Sequence, residues 1–170
     1  MGRGGIHPLE FKTFSKEIQN AITNYCQAGG NFFVSGAYVA SDLWDNRLVK
    51  ANEEDKKFAM EVLKYKWRVG QAARNGKVKS VASPFPEITG SYTYYQDLNP
   101  ESYVVESPDA LEPAAQGAFT ILRYSENNLS AGIAYKGNYK TCVLGFPFEA
   151  IRTVTERELL MKAILTFFEH

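Results

Sequence analysis

The chain has 170 residues, 45% hydrophobic and 22% charged, the composition of a globular domain long enough to bury a sizeable core. Nineteen basic residues balance 19 acidic ones, and the zero net charge argues against a nucleic-acid or anionic-membrane partner, because both need a basic surface. No apolar run reaches the roughly 18 residues that a membrane span requires.

The opening Met1-Gly2-Arg3-Gly4-Gly5 carries no signal-peptide pattern and reads as flexible, either an appended edge or an internal cut from a longer protein. Ser15 is an N-cap, and Ile18, Ala21, Ile22, Tyr25 and Cys26 then recur at helical spacing until Gly29-Gly30 stops the helix. Asn31 to Ser35 is a short apolar run suited to a buried parallel strand. Gly36 allows a sharp turn into a short helix over Ala37 to Leu43, and Trp44 to Ala51 reads as a loop. Asn52 caps a further helix whose first turn, Glu53-Glu54-Asp55, suits the positive helix N-terminus. Its inner face is Phe58, Ala59, Val62 and Leu63.

From residue 64 to residue 140 short β-like runs alternate with turn residues. They are Lys77–Ala82, Gly90–Tyr95, Tyr103–Glu106, Ala118–Tyr124 and Ala131–Tyr135. Asn127-Asn128 and Lys136-Gly137-Asn138 are hairpin chemistry, so an antiparallel or mixed β excursion is expected, with consecutive strands over 118–124, 131–135 and 139–146. Thr153-x-x-Glu156 is a capping box for a last helix carrying Val154, Leu159, Leu160, Ala163, Ile164 and Phe167.

The passage from Gly29 to Asp42 combines helix stop, strand, turn and helix, the shape of a nucleophile elbow. Gly36-x-Tyr38-x-Ala40 stands where Gly-x-nucleophile-x-Gly would, with Tyr38 in the nucleophile slot. Asp42 lies one helical turn beyond Tyr38 and shares its face. With Glu149 after the last strand, these residues can converge where open α/β sheets place ligands. A Tyr and two carboxylates can do acid–base work on a glycan, and the same groups also suit capping and ion pairing, for example Glu149 with Arg152 or Arg157. Gly36 and Ala37 would border the ligand. Tyr92, Tyr94, Tyr95 and Trp67, with Asn99 and Asp109, can line a sugar cleft or close the core. Ser35 and Ser41 have no neighbouring His in sequence to activate them.

The cysteines, Cys26 and Cys142, read as small buried apolar residues in no metal-ligand spacing, and His7 and His170 lie near the termini. No metal and no cofactor is expected.

Two segments together resemble the class I glutamine amidotransferase-like superfamily: Gly29 to Tyr38, and Val143-Leu144-Gly145-Phe146-Pro147-Phe148-Glu149 followed by Arg157 and a closing helix. With Tyr135 to Lys140 before the second, the wording is similar to C-terminal domains of Bacteroides-type secreted proteins labelled xanthan lyases. The resemblance covers roughly residues 15–60 and 115–170. It implies an α/β fold: a flavodoxin-like sheet with flanking helices, here with an irregular β-rich excursion over residues 65–117. It implies a single domain over residues 1–170, or a fragment of one, because the superfamily carries about three strands before the elbow strand and only a helix precedes it here. Another chain, as in a homo-oligomer, or the rest of a longer chain would complete the sheet, or else the topology differs from that of the superfamily.

Pro147 and Glu149 fit the tail of that family's His-Pro-Glu motif, but the His is missing, and Tyr38 replaces the Cys. A glutaminase needs a thiolate to attack and an imidazole to move the proton. The expectation is therefore a non-catalytic accessory or interaction domain in an extracellular or periplasmic polysaccharide-processing protein, with carbohydrate as partner. The alternative is a carbohydrate lyase or hydrolase that uses Tyr38, Asp42 and Glu149.

Overall fold

A computed structural model of the chain describes residues 12–45, 51–100 and 102–170. The opening glycines, His7 and most of the expected loop before Ala51 lie outside them.

Helix α1 (Lys16–Gln27) starts as its sequence dictates, with the Ser15 side chain accepting from the Ile18 N–H. It stops at Gly29, whose φ of +90° glycine tolerates freely. Strand β1 (Phe32–Ser35) follows. The expected helix over Ala37 to Leu43 is shorter and later: residues 37–40 form a turn, and helix α2 is Ser41–Trp44. Helix α3 (Glu53–Phe58) opens on a reciprocal capping box between Asn52 and Asp55 and continues as a wide turn over Ala59–Leu63.

The β-rich stretch supplies β2 (Tyr65–Val69), β3 (Lys77–Ser80), β4 (Ser91–Thr93) and β5 (Ala110–Pro113). A meander of β6 (Ala118–Tyr124), β7 (Ser130–Lys136) and β8 (Lys140–Leu144) comes next, where the hairpin residues placed it. A single 3-10 turn (Phe148–Ala150) leads to helix α4 (Val154–Glu169). Thr153 accepts from the Glu156 N–H as a cap should, but its hydroxyl donates to the Glu156 carboxylate, so only half of the capping box forms.

The main sheet has six strands in the order β1-β8-β7-β6-β3-β4. Only β1 and β8 pair in parallel; the other four pairings are antiparallel. The fold is mixed α/β. The expected β-rich excursion is thus woven partly into the main sheet through β3 and β4, while β2 and β5 form a separate two-stranded ribbon. The run Tyr103–Glu106 is not a strand.

Alternation along β7 and β8 separates two cores. Ile133 and Val143 face a cluster with Ile22, Cys26, Leu43, Phe58, Leu63 and Leu111. Ala134, Cys142 and Leu144 face the other cluster, with Phe146, Leu160, Ile164 and Phe167. Helices α1 to α3 and the ribbon therefore cover one face of the sheet, and α4 packs on the other, a three-layer arrangement. Ile18 and Tyr25 on α1, and Val154 and Leu159 on α4, were expected on inner faces but are exposed. On α1 the inward position goes to Gln19, whose amide donates to Asp55 on α3 at 2.8 Å. Both cysteines are free and buried.

Candidate functional site

Because β1 and β8 run in parallel, their carboxyl ends emerge side by side, with Ser35 opposite Leu144. The Gly36 N–H donates to the Leu144 carbonyl at 3.2 Å, and the Phe148 N–H donates to Ser35 Oγ at 3.1 Å. The turn after β1 and the segment Pro147 to Glu149 after β8 thus share one rim, the position where parallel strand ends present ligand-binding groups.

Tyr38 has φ of +69°. A bulky aromatic residue in the left-handed region costs on the order of 1–3 kcal/mol and persists only where the surroundings enforce it. One enforcing contact is the bond from the Asp42 N–H to the Tyr38 carbonyl at 3.2 Å, which closes the turn. A second comes from beneath, where the Tyr65 hydroxyl donates to the Val39 carbonyl at 2.8 Å. Tyr65 is itself fully buried, and burial pushes its phenol well above the ordinary range. Gly36 has open space around the position a Cβ would take, and Ala37 packs against the α4-side core.

The strongest anchor of the elbow is Asp109, which is fully buried. Its Oδ2 accepts from the Ala40 N–H at 2.8 Å, the Ser41 N–H at 2.9 Å and the Ser41 hydroxyl at 3.2 Å. Its Oδ1 accepts from the Trp67 indole N–H at 3.1 Å. Burial pushes the carboxyl up to about 6, against the opposing pull of these donors. The Asp109 backbone is pinned as well: its N–H donates to the Gly145 carbonyl at 2.7 Å, and its carbonyl accepts from the Tyr124 hydroxyl at 2.8 Å. A Cβ on Gly145 would lie 2.0 Å from the Asp109 carbonyl oxygen, so only glycine fits where the chain leaves β8 beside this node. Asp109 was expected to border a ligand; it instead ties β5 to the elbow and to the exit of β8, out of reach of solvent.

The other expected site residues divide. Asp42 is 4% exposed, and its Oδ2 accepts from the Thr13 N–H at 3.1 Å and the Thr13 hydroxyl at 2.6 Å, so it faces the chain before α1. Glu149 is exposed on the rim, and its Oε1 accepts from the Tyr103 hydroxyl at 2.6 Å. Burial, then the Glu149 charge, push the Tyr103 phenol above its ordinary range. The suggested partners of Glu149 go elsewhere: Arg152 pairs with Asp97 at 2.6 Å and lies over the Tyr95 ring, and Arg157 donates to the Ile151 carbonyl. Tyr92 and Tyr94 are core residues. The Tyr92 hydroxyl donates to the Thr89 carbonyl at 3.0 Å, and the Tyr94 ring stacks on Phe146 with centroids 5.0 Å apart. At 3% and 0% exposure neither ring offers a face to a sugar in this conformation.

The cysteines stand away from the elbow turn, in α1 and β8, and burial raises both thiols. Among the described residues no group of three or more His, Cys, Asp or Glu is placed to hold a metal ion. No helix among them is long and apolar enough to cross a membrane. One residue of the site and one pairing escaped the sequence. Tyr103 read as part of a strand, and the bond from Ser41 to Asp109 spans 68 residues, for which no local signal exists.

No protein-family pattern matches the chain, and neither does any curated protein. Solved structures do match in fold. The β-galactosidase from Rahnella sp. R3 superposes with a TM-score of 0.59 at 13% identity, covering 91% of this chain and 21% of that one. An exo-β-1,4-mannosidase from Opitutaceae bacterium strain TAV5 gives a TM-score of 0.49 at 10% identity, covering 89% of this chain and 22% of that one. This chain therefore spans about a fifth of the length of either protein.

Proposed function

We propose that this chain is a non-catalytic, amidotransferase-like accessory domain of a larger extracellular or periplasmic protein that processes polysaccharide. The observation that carries the reading is Tyr38, held at φ +69° in the slot where a nucleophile elbow presents its reactive side chain. An elbow built around a phenol, with both thiols buried in other elements, has kept a scaffold without the attacking group of a glutaminase. The parallel pair β1–β8 is the part that supports a flavodoxin-like ancestry. The carbohydrate setting is supported by the likeness in fold to a segment of a β-galactosidase, of which this chain matches about a fifth.

A second reading is favoured by one contact. The Tyr103 hydroxyl on the Glu149 carboxylate is an exposed acid–base pair at the parallel strand ends, of the kind that a lyase or hydrolase can use.

A polysaccharide panel including xanthan, read for retention of the protein and for unsaturated or reducing-end products, separates the two. Binding without product is expected. Product formation that disappears in Glu149→Gln would overturn the accessory reading in favour of the enzyme. Failure to bind any glycan would overturn the carbohydrate setting.

A further inference from the structure

We propose that the groove between the β2–β5 ribbon and the β6–β7 hairpin binds an anionic sugar unit, a hexuronate, through Arg68 and Arg123 on its opposite walls. The inference rests on the carbohydrate part of the proposed function and places the ligand on the ribbon rather than at the elbow. The groove has a volume of about 610 Å³, within the range of roughly 300–1,000 Å³ that small-ligand sites occupy. Its floor includes buried Leu111 and half-buried Leu129, its rim Glu112 and Asn128, and its inner wall the hydroxyls of Thr120 and Ser130.

The backbone aims these side chains. The β2–β5 ladder slips between Trp67 and Val69, so Arg68 is the extra residue of a bulge. The β6–β7 ladder slips twice, between Thr120 and Leu122 and between Leu122 and Arg123. Regular alternation would put Thr120 and Arg123 on opposite faces. The slips instead bury Ile121 and Leu122 in succession in the α4-side core and turn Thr120 and Arg123 together to the groove. Bulges commonly re-aim side chains at functional rims in this way.

The chemistry of the lining then selects the ligand. Two guanidiniums against one carboxylate leave the groove one positive charge, in a chain whose net charge is zero. Arg123 is braced by a bond from its guanidinium to the Asn128 carbonyl at 2.7 Å, which fixes a planar fork suited to a carboxylate. Arg68 pairs with Glu112, and both are about half exposed, so this pair can open toward a ligand at little cost. Glu112 supplies acceptors and the Asn128 side chain both donors and an acceptor for ring hydroxyls; Thr120 donates to Ser130 and Ser130 to the Gly132 carbonyl, so those two hydroxyls add acceptors, and half-buried Leu129 supplies an apolar contact for a sugar's C–H face. A carboxylate on a polyhydroxylated ring uses all three features.

The test is a titration of the isotope-labelled full chain with D-glucuronate, D-glucose and acetate, followed by heteronuclear NMR. Glucuronate is expected to shift resonances of Arg68, Arg123, Leu129 and Ser130, with glucose and acetate each binding about tenfold or more weaker. Arg123→Gln and, independently, Arg68→Gln are expected to weaken glucuronate about tenfold, the worth of one charged hydrogen bond. Spectral dispersion reports whether each variant is folded, and either folded variant suffices. Absence of glucuronate shifts, equal affinity for glucose or acetate, or unchanged affinity in a folded variant would overturn the proposal. Shifts confined to residues 35–40 and 147–149 would overturn it while leaving the carbohydrate setting in place. Groove binding by a chain that retains no polysaccharide would do the reverse.

Discussion

Asp109 shows how one side chain can set the conformation of a whole turn. A buried carboxylate is costly unless donors surround it, and here three donors come from the start of α2 and a fourth from Trp67. The donors do not fully offset burial, so the folded carboxyl titrates near 6 against an ordinary 3.8. Between those values the folded chain holds a proton that the unfolded chain has released. Stability from this group is therefore present at low pH and lost as pH rises through the window from about 4 to about 6. Urea midpoints of the wild type and Asp109→Asn, measured across pH 4 to 7, isolate this slope, which the Asn variant should lack. A wild-type-minus-variant difference that is flat, or that grows with pH, would contradict the assignment. Tyr38 is the opposite case, a residue whose environment sets its backbone. Its place in the elbow was legible from Gly36 two residues earlier; its left-handed backbone is held partly by Tyr65, 27 positions away in sequence.

At the scale of elements, caps and turns announced themselves and long-range pairings did not. Ser15, Asn52 and Thr153 cap the helices they precede, because capping is chemistry within three residues. The meander β6–β7–β8 was legible because its turns are local. The ribbon β2–β5 was not: its partners lie more than 40 residues apart, β2 follows Lys64 in a left-handed conformation, and β5 ends on Pro113. Tyr103–Glu106 looked like a strand and makes no ladder; Val105 is anchored instead by burial in the α4-side core, by an N–H bond to the Tyr95 carbonyl and by the Gln96 side chain. Asp55 illustrates what local reading misses even when right. It lies in the acidic first turn of α3, as expected, and there it completes a capping box with Asn52 and also accepts from Gln19 at 2.8 Å and Lys12 at 2.6 Å, joining α3 to α1 and to the chain before it. Burial raises its carboxyl, but these partners together win and hold it below the ordinary range. Asp55→Ala removes the carboxylate half of the capping box, one of the two acceptors of the Gln19 amide and the partner of Lys12, and should cost about 2 kcal/mol, more than a simple cap. Chemical denaturation measures it, and a loss under about 1 kcal/mol would show that α1 and α3 are not coupled through this carboxylate.

At the scale of the whole molecule, the sequence pointed to an α/β domain and the hydrophobic pattern of α4 to packing on a sheet. It did not say that the sheet would be mostly antiparallel, because apolar strands read alike in either direction. The consequence of the observed architecture is mechanical. Two cores lie on opposite faces of one sheet, and β7 and β8 contribute alternate residues to both. Neither layer can lose its packing without exposing the back of the other. Trp44 and Trp67 pack against the core on the α1–α3 side, while Leu144 belongs to the α4 side, so a lesion in one core can be read from the other. Leu144→Ala should cost about 3 kcal/mol by cavity formation. It should shift the tryptophan fluorescence transition and the far-ultraviolet circular dichroism transition by the same amount, with the two midpoints coincident. Ile133→Ala, on the opposite face, should do the same. Tryptophan midpoints that stay at the wild-type value in Leu144→Ala while the helical signal melts early would mean that α4 and its core unfold as a separate unit. Coincidence in both variants would mean that the elbow, the rim and the ribbon groove share one folding equilibrium. A ligand held in the groove would then raise the midpoint of the entire chain and not only of the ribbon.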